Sequence, residues 1–253
     1  MRRARERIRD WLFTVPFAIV FVALLLVFDP LQRLARLCGP RPHEIVVGAL
    51  QWSLKAALHV CGTRFDVERS PDVRPRQPYL FIANHQSMFD VPILAGLLFS
   101  NHPKYVSKRE LARGLPSISF NLRRGGNAVI DRAARSSALR VIRDFGRQVA
   151  ARGVSAVIYP EGTRARDGVL KPFKPAGTLE ILAAAPTHPV VPFVIDGSWR
   201  LMRHGMRPVP FGVRVRVHIG APIARTSDED REDMLTRVES EVRDTLRRWR
   251  RSG

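Results

Sequence analysis

The residues best suited to chemistry are His85 and Asp90, five positions apart in Asn84-His85-Gln86-Ser87-Met88-Phe89-Asp90. An imidazole that takes up a proton needs a partner to fix its tautomer and stabilise the imidazolium. A nearby carboxylate does both. On one continuous helix, residues five apart point about 140° away from each other, so the pair cannot meet that way. If His85 lies in a turn before a helix whose first turn holds Asp90, the ring faces the carboxylate. The surrounding residues favour that arrangement. Tyr79 to Ala83 is an apolar run that reads as a buried strand, and Met88 to Phe99 reads as a helix with Ser87 as its N-cap. A histidine before a helix is ordinarily a capping or loop residue, and the spacing alone leaves that reading open.

Three further stretches bear on it. Val154 to Ile158 reads as a buried strand leading into Tyr159-Pro160-Glu161-Gly162-Thr163-Arg164. That turn sets a hydroxyl beside a guanidinium, which suits a phosphate, although Glu-Gly and Thr-Arg are also ordinary turn chemistry. Gly125 to Arg132 is a strand entered through glycines and closed by Asp131-Arg132, by itself a strand-end ion pair. Val191-Pro192 by itself reads as an edge strand.

The elements that must position these residues alternate. Strands are expected at Phe65 to Glu68, Lys104 to Ser107, Pro189 to Ile195 and Val213 to Ile219, the last with a strict Val-Arg-Val-Arg-Val-His-Ile alternation. Helices are expected at Arg135 to Arg152, with Leu139, Ile142 and Phe145 on one side, and at Gly177 to Ala185. Lys108 to Leu122 reads as a helix broken by Pro116. A last helix carries Leu235, Val238, Val242, Leu246 and Trp249 on one face, with Thr226 and Glu229 as a candidate capping box. The pattern predicts an α/β fold with a mixed sheet flanked by helices.

The chain has 253 residues and a formal charge of +19, which points to an anionic partner. Cys38 and Cys61 fit neither a disulfide framework nor a metal site and suit a reducing compartment. Nucleic acid is disfavoured, because the arginines are spread along the chain with only three tyrosines among them. After the five arginines between Arg2 and Arg9, Trp11 to Phe28 is free of charge. Eighteen helical residues span about 27 Å, slightly short of a ~30 Å hydrocarbon core. No small-residue cleavage site follows, which argues against a signal peptide. The leading arginines favour a cytoplasmic start. A single crossing, a second crossing by Glu44 to Cys61, or a helical pair embedded in one leaflet and broken around Pro30 to Pro42 all fit the pattern. The embedded pair fits best, because Gln51, Lys55 and His59 make a poor second span. Residues 1–62 are therefore expected to form a membrane-associated helical pair, and residues 63–253 the remaining domain.

In their order the four stretches resemble the motifs of the glycerophospholipid acyltransferase family, which makes phosphatidic acid from lysophosphatidic acid. The resemblance runs from about Tyr79 to Val194. His85, four residues and Asp90 match the first motif in full, and Tyr159 to Arg164 match the third. Gly126 to Arg132 resembles the second, with Ala128 and Val129 where a branched residue and often an aromatic stand. Val191-Pro192-Phe193-Val194 resembles the fourth, with Phe193 for a small aliphatic residue.

The resemblance implies that His85 is the general base, oriented by Asp90, and that the acceptor phosphate is held by Arg132, Glu161, Gly162, Thr163 and Arg164. Glu161 does not suit direct contact with a dianion, so it is assigned to orienting an arginine or the backbone. Lys104, Lys108 and Lys174 are candidates for further phosphate or carrier contacts, Lys174 the best of them. No cofactor or metal is implied; the co-substrate is acyl-CoA or acyl-ACP (acyl carrier protein). The partners implied are a lysophospholipid acceptor and an anionic membrane surface, at the cytoplasmic membrane with the active site on the cytosolic side. Other acceptors remain open, namely glycerol 3-phosphate, another lysophospholipid or a lyso-ornithine lipid. So do a membrane-tethered basic binding protein and a catalytically silent lipid-binding relative, against which the intact His85, Asp90 and Glu-Gly-Thr-Arg stand.

Overall fold

A computed structural model describes residues 2–131, 133–225 and 230–251. Seven strands form one sheet: β1 (Arg64–Arg69), β2 (Leu80–Ala83), β3 (Lys104–Lys108), β4 (Ala128–Ile130), β5 (Ala156–Ile158), β6 (Val190–Asp196) and β7 (Arg214–Ile219). Their spatial order is β1-β7-β6-β2-β5-β3-β4. Every neighbouring pair is parallel except β6 and β7, so the sheet is mixed, as expected. Its middle strand is β2, whose Leu80 lies opposite both Ala156 and Val190.

All four residues of β2 are buried, because both sheet faces are covered. Phe81 and Ala83 point to one face and join Phe17, Phe89, Ile93 and Leu94. Leu80 and Ile82 point to the other, where α5 (Arg135–Arg152), α6 (Pro175–Ala184) and α7 (Arg231–Arg251) pack. The period-2 alternation of the strand thus meets helices on both sides. The buried stripe of α7 is the one its spacing predicts; Leu235, Val238, Val242, Leu246 and Trp249 are all in the core. Thr226 and Glu229, the candidate capping box, lie outside the described residues.

The N-terminal helical pair breaks within the expected Pro30 to Pro42 stretch. Helix α1 runs unbroken from Arg2 to Leu37 through Pro16 and Pro30, and α2 spans Pro40–Ala57. A proline removes one hydrogen bond from a helix, and Asp29 braces the chain at Pro30. Its carboxylate takes Arg33 Nε at 2.7 Å and the Ser117 amide at 2.6 Å. The break falls at Gly39, whose φ of 123° belongs to the region that favours glycine, with Pro40 opening the next helix. The exposed face of α1 is apolar along its length: Ile8, Leu12, Val15, Ile19, Val22 and Leu26 recur at helical spacing. Ala4–Leu37 is the one helix among the described residues long and apolar enough to cross a membrane, its most apolar 18 residues having a mean hydropathy of 2.7. Its inner face is not independent of the sheet, because Phe17 is buried in the same core as Phe81.

Lys104, a candidate phosphate contact, lies elsewhere. It opens β3, at the end of the strand away from His85, and is 5% exposed. Its Nζ is 2.9 Å from Glu44 Oε1, which Arg152 Nη2 also reaches at 2.5 Å. The burial of a lysine is tolerated because the charge is paired. The trio ties α2 to β3 and α5.

Candidate active site

The site lies beyond the carboxyl ends of β2, β5 and β6, where open α/β sheets leave a crevice. At the end of β2 the Asn84 side chain stands in for a strand partner. Its Nδ2 donates to the Ile195 carbonyl at 2.9 Å and its Oδ1 accepts from the Ile195 amide at 2.8 Å. The chain then turns, and His85 Nδ1 comes to 2.8 Å from Asp90 Oδ2. Helix α3 (Asp90–Leu97) begins at Asp90, two residues later than expected, and Ser87 is not its cap. The reason is local. Asp90 folds back on the turn, its Oδ2 accepting from the amides of Gln86 at 2.6 Å and Ser87 at 2.8 Å. Ser87 Oγ donates to Asp90 Oδ1 at 3.1 Å and accepts from the Phe89 amide at 3.1 Å. This closes the angular gap that a continuous helix would leave open.

The Asp90 side chain is 1% exposed and that of His85 16%. Burial strips a carboxylate of water, and here five protein donors replace it. The fifth is Ser198, whose Oγ donates to Asp90 Oδ1 at 2.5 Å. Ser198 follows β6 through Gly197, at φ 88°, where an added Cβ would stand 2.3 Å from the Arg214 carbonyl oxygen. Only glycine fits there. Gln86 Nε2 donates to Asp196 Oδ1 at 3.0 Å, a second tie between the turn and the end of β6. Tyr159 stacks on the imidazole, with centroids 4.2 Å apart and planes inclined 20°, and so fixes the plane of His85.

Glu161 is buried, and among the described residues it pairs with no arginine. Its Oε1 accepts from the His85 amide at 2.6 Å and its Oε2 from the Lys171 amide at 3.0 Å. Of the two roles open to it, the geometry takes the backbone one. Burial pushes its pKa above the ordinary value, and the two amide hydrogen bonds only partly offset that. The loop closes on the diad again where the Ala165 amide donates to the His85 carbonyl at 2.7 Å.

Gly162 turns the chain at φ 68°, and an added Cβ would lie 3.6 Å from Lys174 Nζ, so Lys174 flanks that turn. Lys171, not singled out from sequence, donates through Nζ to Thr163 Oγ1 at 3.2 Å and to the Arg164 carbonyl at 2.8 Å. Arg164 lies against Met202 Sδ at 3.7 Å, in the same short turn as Ser198. Gly162, Thr163, Arg164, Lys171 and Lys174 thus form a basic rim beside the diad. Arg132 lies outside the described residues; its neighbour Asp131 follows β4, the strand two places from β5. Among the described residues no three His, Cys, Asp or Glu side chains gather as metal ligands. Lys171 and Ser198 had no local signal in the sequence, because their roles depend on a chain reversal and on strand order.

Known proteins resemble this chain. A family model described as Acyltransferase matches residues 64–196, just over half of the chain. The chain is 33% identical over 141 residues to human 1-acyl-sn-glycerol-3-phosphate acyltransferase beta, covering 55% of this chain and 50% of that protein. It is 30% identical over 199 residues to the 1-acyl-sn-glycerol-3-phosphate acyltransferase of Cocos nucifera, covering 76% and 59%. The chain therefore spans about half the length of these relatives. The crystal structure of the 1-acyl-sn-glycerophosphate acyltransferase PlsC from Thermotoga maritima superposes with a TM-score of 0.76 over 99% of this chain and 98% of that one, at 22% identity. By the family match and the relatives together, the chain belongs to the glycerophospholipid acyltransferase family.

Proposed function

We propose that the protein transfers an acyl group from a thioester, acyl-CoA or acyl-ACP, to the free hydroxyl of lysophosphatidic acid, giving phosphatidic acid. The observation that carries this reading is the 2.8 Å approach of His85 Nδ1 to Asp90 Oδ2. A carboxylate can only accept, so Nδ1 carries the proton and Nε2 is left to act as base. Nε2 takes the hydroxyl proton as the oxygen attacks the thioester carbonyl. The tetrahedral intermediate collapses with loss of the thiolate, and His85 returns the proton to that sulfur. A positioned general base is worth about 10²–10⁴-fold. Asp90, held in turn by Ser198 and the two turn amides, keeps the imidazole in the reacting tautomer.

Gly162, Thr163, Arg164, Lys171 and Lys174 supply the phosphate cradle, joined by Arg132, two residues after β4 in the sequence. Glu161 acts beneath them by holding the His85 turn to the Lys171 loop. The acceptor carries an acyl chain that favours the bilayer by ~0.8 kcal/mol per buried methylene. Helix α1 offers the matching surface, an apolar face on one side and packing against the diad turn on the other. In this reading α1 and α2 lie embedded in one leaflet of the cytoplasmic membrane, and the site opens on the cytosolic side.

The test is an acceptor panel on the purified full chain with both donors. Phosphatidic acid formation from lysophosphatidic acid with either thioester is expected. Preferential acylation of glycerol 3-phosphate or of another lysolipid would move the assignment to that acceptor, and no transfer to any of them would end it.

A further inference from the structure

A second basic feature lies outside the diad and its rim. After β3 the chain forms a short 3-10 turn, Arg109–Ala112, then a loop to Pro116 that precedes α4 (Ile118–Arg124). Arg109, Arg113 and Arg123 line an open cleft of about 440 Å³ between this strap, α4 and the edge strand β4. Leu111 and Leu115 alternate with the arginines and remain 44% and 38% exposed. Single surface leucines are ordinary. These two are held outward by a built scaffold. Ser119 Oγ accepts from the Leu115 amide at 2.9 Å and donates to the Leu111 carbonyl at 3.0 Å. The strap is fastened to α1 at its base, where Ser117 Oγ donates to the Leu25 carbonyl at 2.7 Å and its amide to Asp29.

From this geometry we infer that the Lys108–Pro116 strap is a second membrane-contact element, its arginine cleft holding phosphates of anionic lipid headgroups while Leu111 and Leu115 enter the leaflet. The proposal extends the embedded reading of α1 and rests on it. Charge argues for an anionic surface: Lys108, Arg109, Arg113, Arg123 and Arg124 outnumber the acids near them among the described residues, which are Glu110 in the strap, Asp131 at 3.7 Å from Arg109, and Asp29, whose charge acts on Arg123. A soluble phosphate would account for the arginines but leave the leucines without a role. The strap is tied to α1 at Leu25 and Asp29, so in the embedded reading it lies beside the membrane-contact helix.

The experiment is co-sedimentation of the full chain with phosphatidylcholine vesicles, with and without phosphatidylglycerol. Binding to neutral vesicles reports on α1; the preference for anionic vesicles reports on the strap. Arg109→Gln with Arg113→Gln is expected to lower that preference about 30-fold, since each basic residue near such a surface is worth about 5-fold. Arg140→Gln with Arg147→Gln on α5 removes the same formal charge and is expected to change it little. Leu111→Ser with Leu115→Ser should weaken binding to both vesicle types. If the arginine pair perturbs folding, judged by thermal melting, Arg113→Gln alone carries the test with a 5-fold expectation. Equal loss in the strap and α5 variants would reduce the effect to net charge and overturn the proposal. So would abolition of the preference by inorganic phosphate at constant ionic strength, which would make the cleft a free-phosphate site. Failure of the wild type to bind neutral vesicles would instead count against the α1 reading.

Discussion

Phe17 of α1 meets Phe89, the residue before Asp90, edge to face, with ring centroids 6.0 Å apart and planes inclined 63°. Phe21 approaches the same ring at 6.1 Å and 85°. Phe17 and Phe89 are both fully buried. The helix that offers an apolar face to the outside is therefore also a wall of the turn that brings His85 to Asp90. Phe17→Ala is expected to open a cavity and cost about 3–5 kcal/mol of stability. Acyl transfer should fall on bilayer-presented and short-chain soluble acceptors alike, read by parallel assays and a denaturant melt. Loss confined to the bilayer substrate would contradict this coupling.

The opposite face of the same helix predicts the reverse pattern. Leu12 and Ile19 are exposed, so Leu12→Ser with Ile19→Ser removes apolar surface without opening the core. The thermal midpoint should hold. Vesicle binding and activity on bilayer acceptor should drop several-fold, while activity on the soluble analogue stays within about twofold, because roughly 0.8 kcal/mol per methylene is lost only from membrane contact.

Ser198 holds the diad from 108 residues away. Ser198→Ala removes a charge-assisted hydrogen bond worth about 1.5–3 kcal/mol. Part of that loss should appear as misorientation of Asp90 and His85, lowering kcat about 10-fold with KM nearly unchanged. A raised KM with normal kcat would place Ser198 in acceptor binding instead.

The buried Glu161 predicts a pH dependence. Its folded-state pKa lies above the ordinary carboxylate value because burial disfavours the charge. Between the unfolded pKa and that raised value the folded state binds more protons, so this group makes stability fall as pH rises across the window. Glu161→Gln should remove that slope, measured as unfolding free energy from mildly acidic to neutral pH. It should also leave one of the His85 and Lys171 amides without its acceptor and slow transfer. An unchanged slope in the variant would contradict the assignment.

Much of this was legible in the sequence where one periodicity dominates. The Arg135–Arg152 helix matches its expected limits, and α7 buries the stripe its spacing predicted. Strand β2 and the turn from His85 to Asp90 followed from an apolar run and a spacing no single helix could satisfy. What failed were positions decided by distant partners. Lys104 is buried because Glu44 waits for it across the fold. The start of α3 moved because the Asp90 carboxylate folds back onto the Gln86 and Ser87 amides, while Ser87 Oγ takes the Phe89 amide within the turn. Ser198 could not be paired with Asp90 before β6 was known to lie beside β2.

The central claim is that His85 takes the proton from the acceptor hydroxyl, oriented by Asp90. Its most direct test is single-turnover formation of phosphatidic acid from lysophosphatidic acid and acyl-CoA or acyl-ACP by wild-type, His85→Ala and Asp90→Asn proteins, each shown by thermal melting to be folded. The account predicts transfer reduced at least ~10²-fold in His85→Ala, in line with loss of a positioned general base, and a large loss in Asp90→Asn, where the tautomer is no longer fixed. A folded His85→Ala protein that transfers the acyl group at the wild-type rate would contradict it.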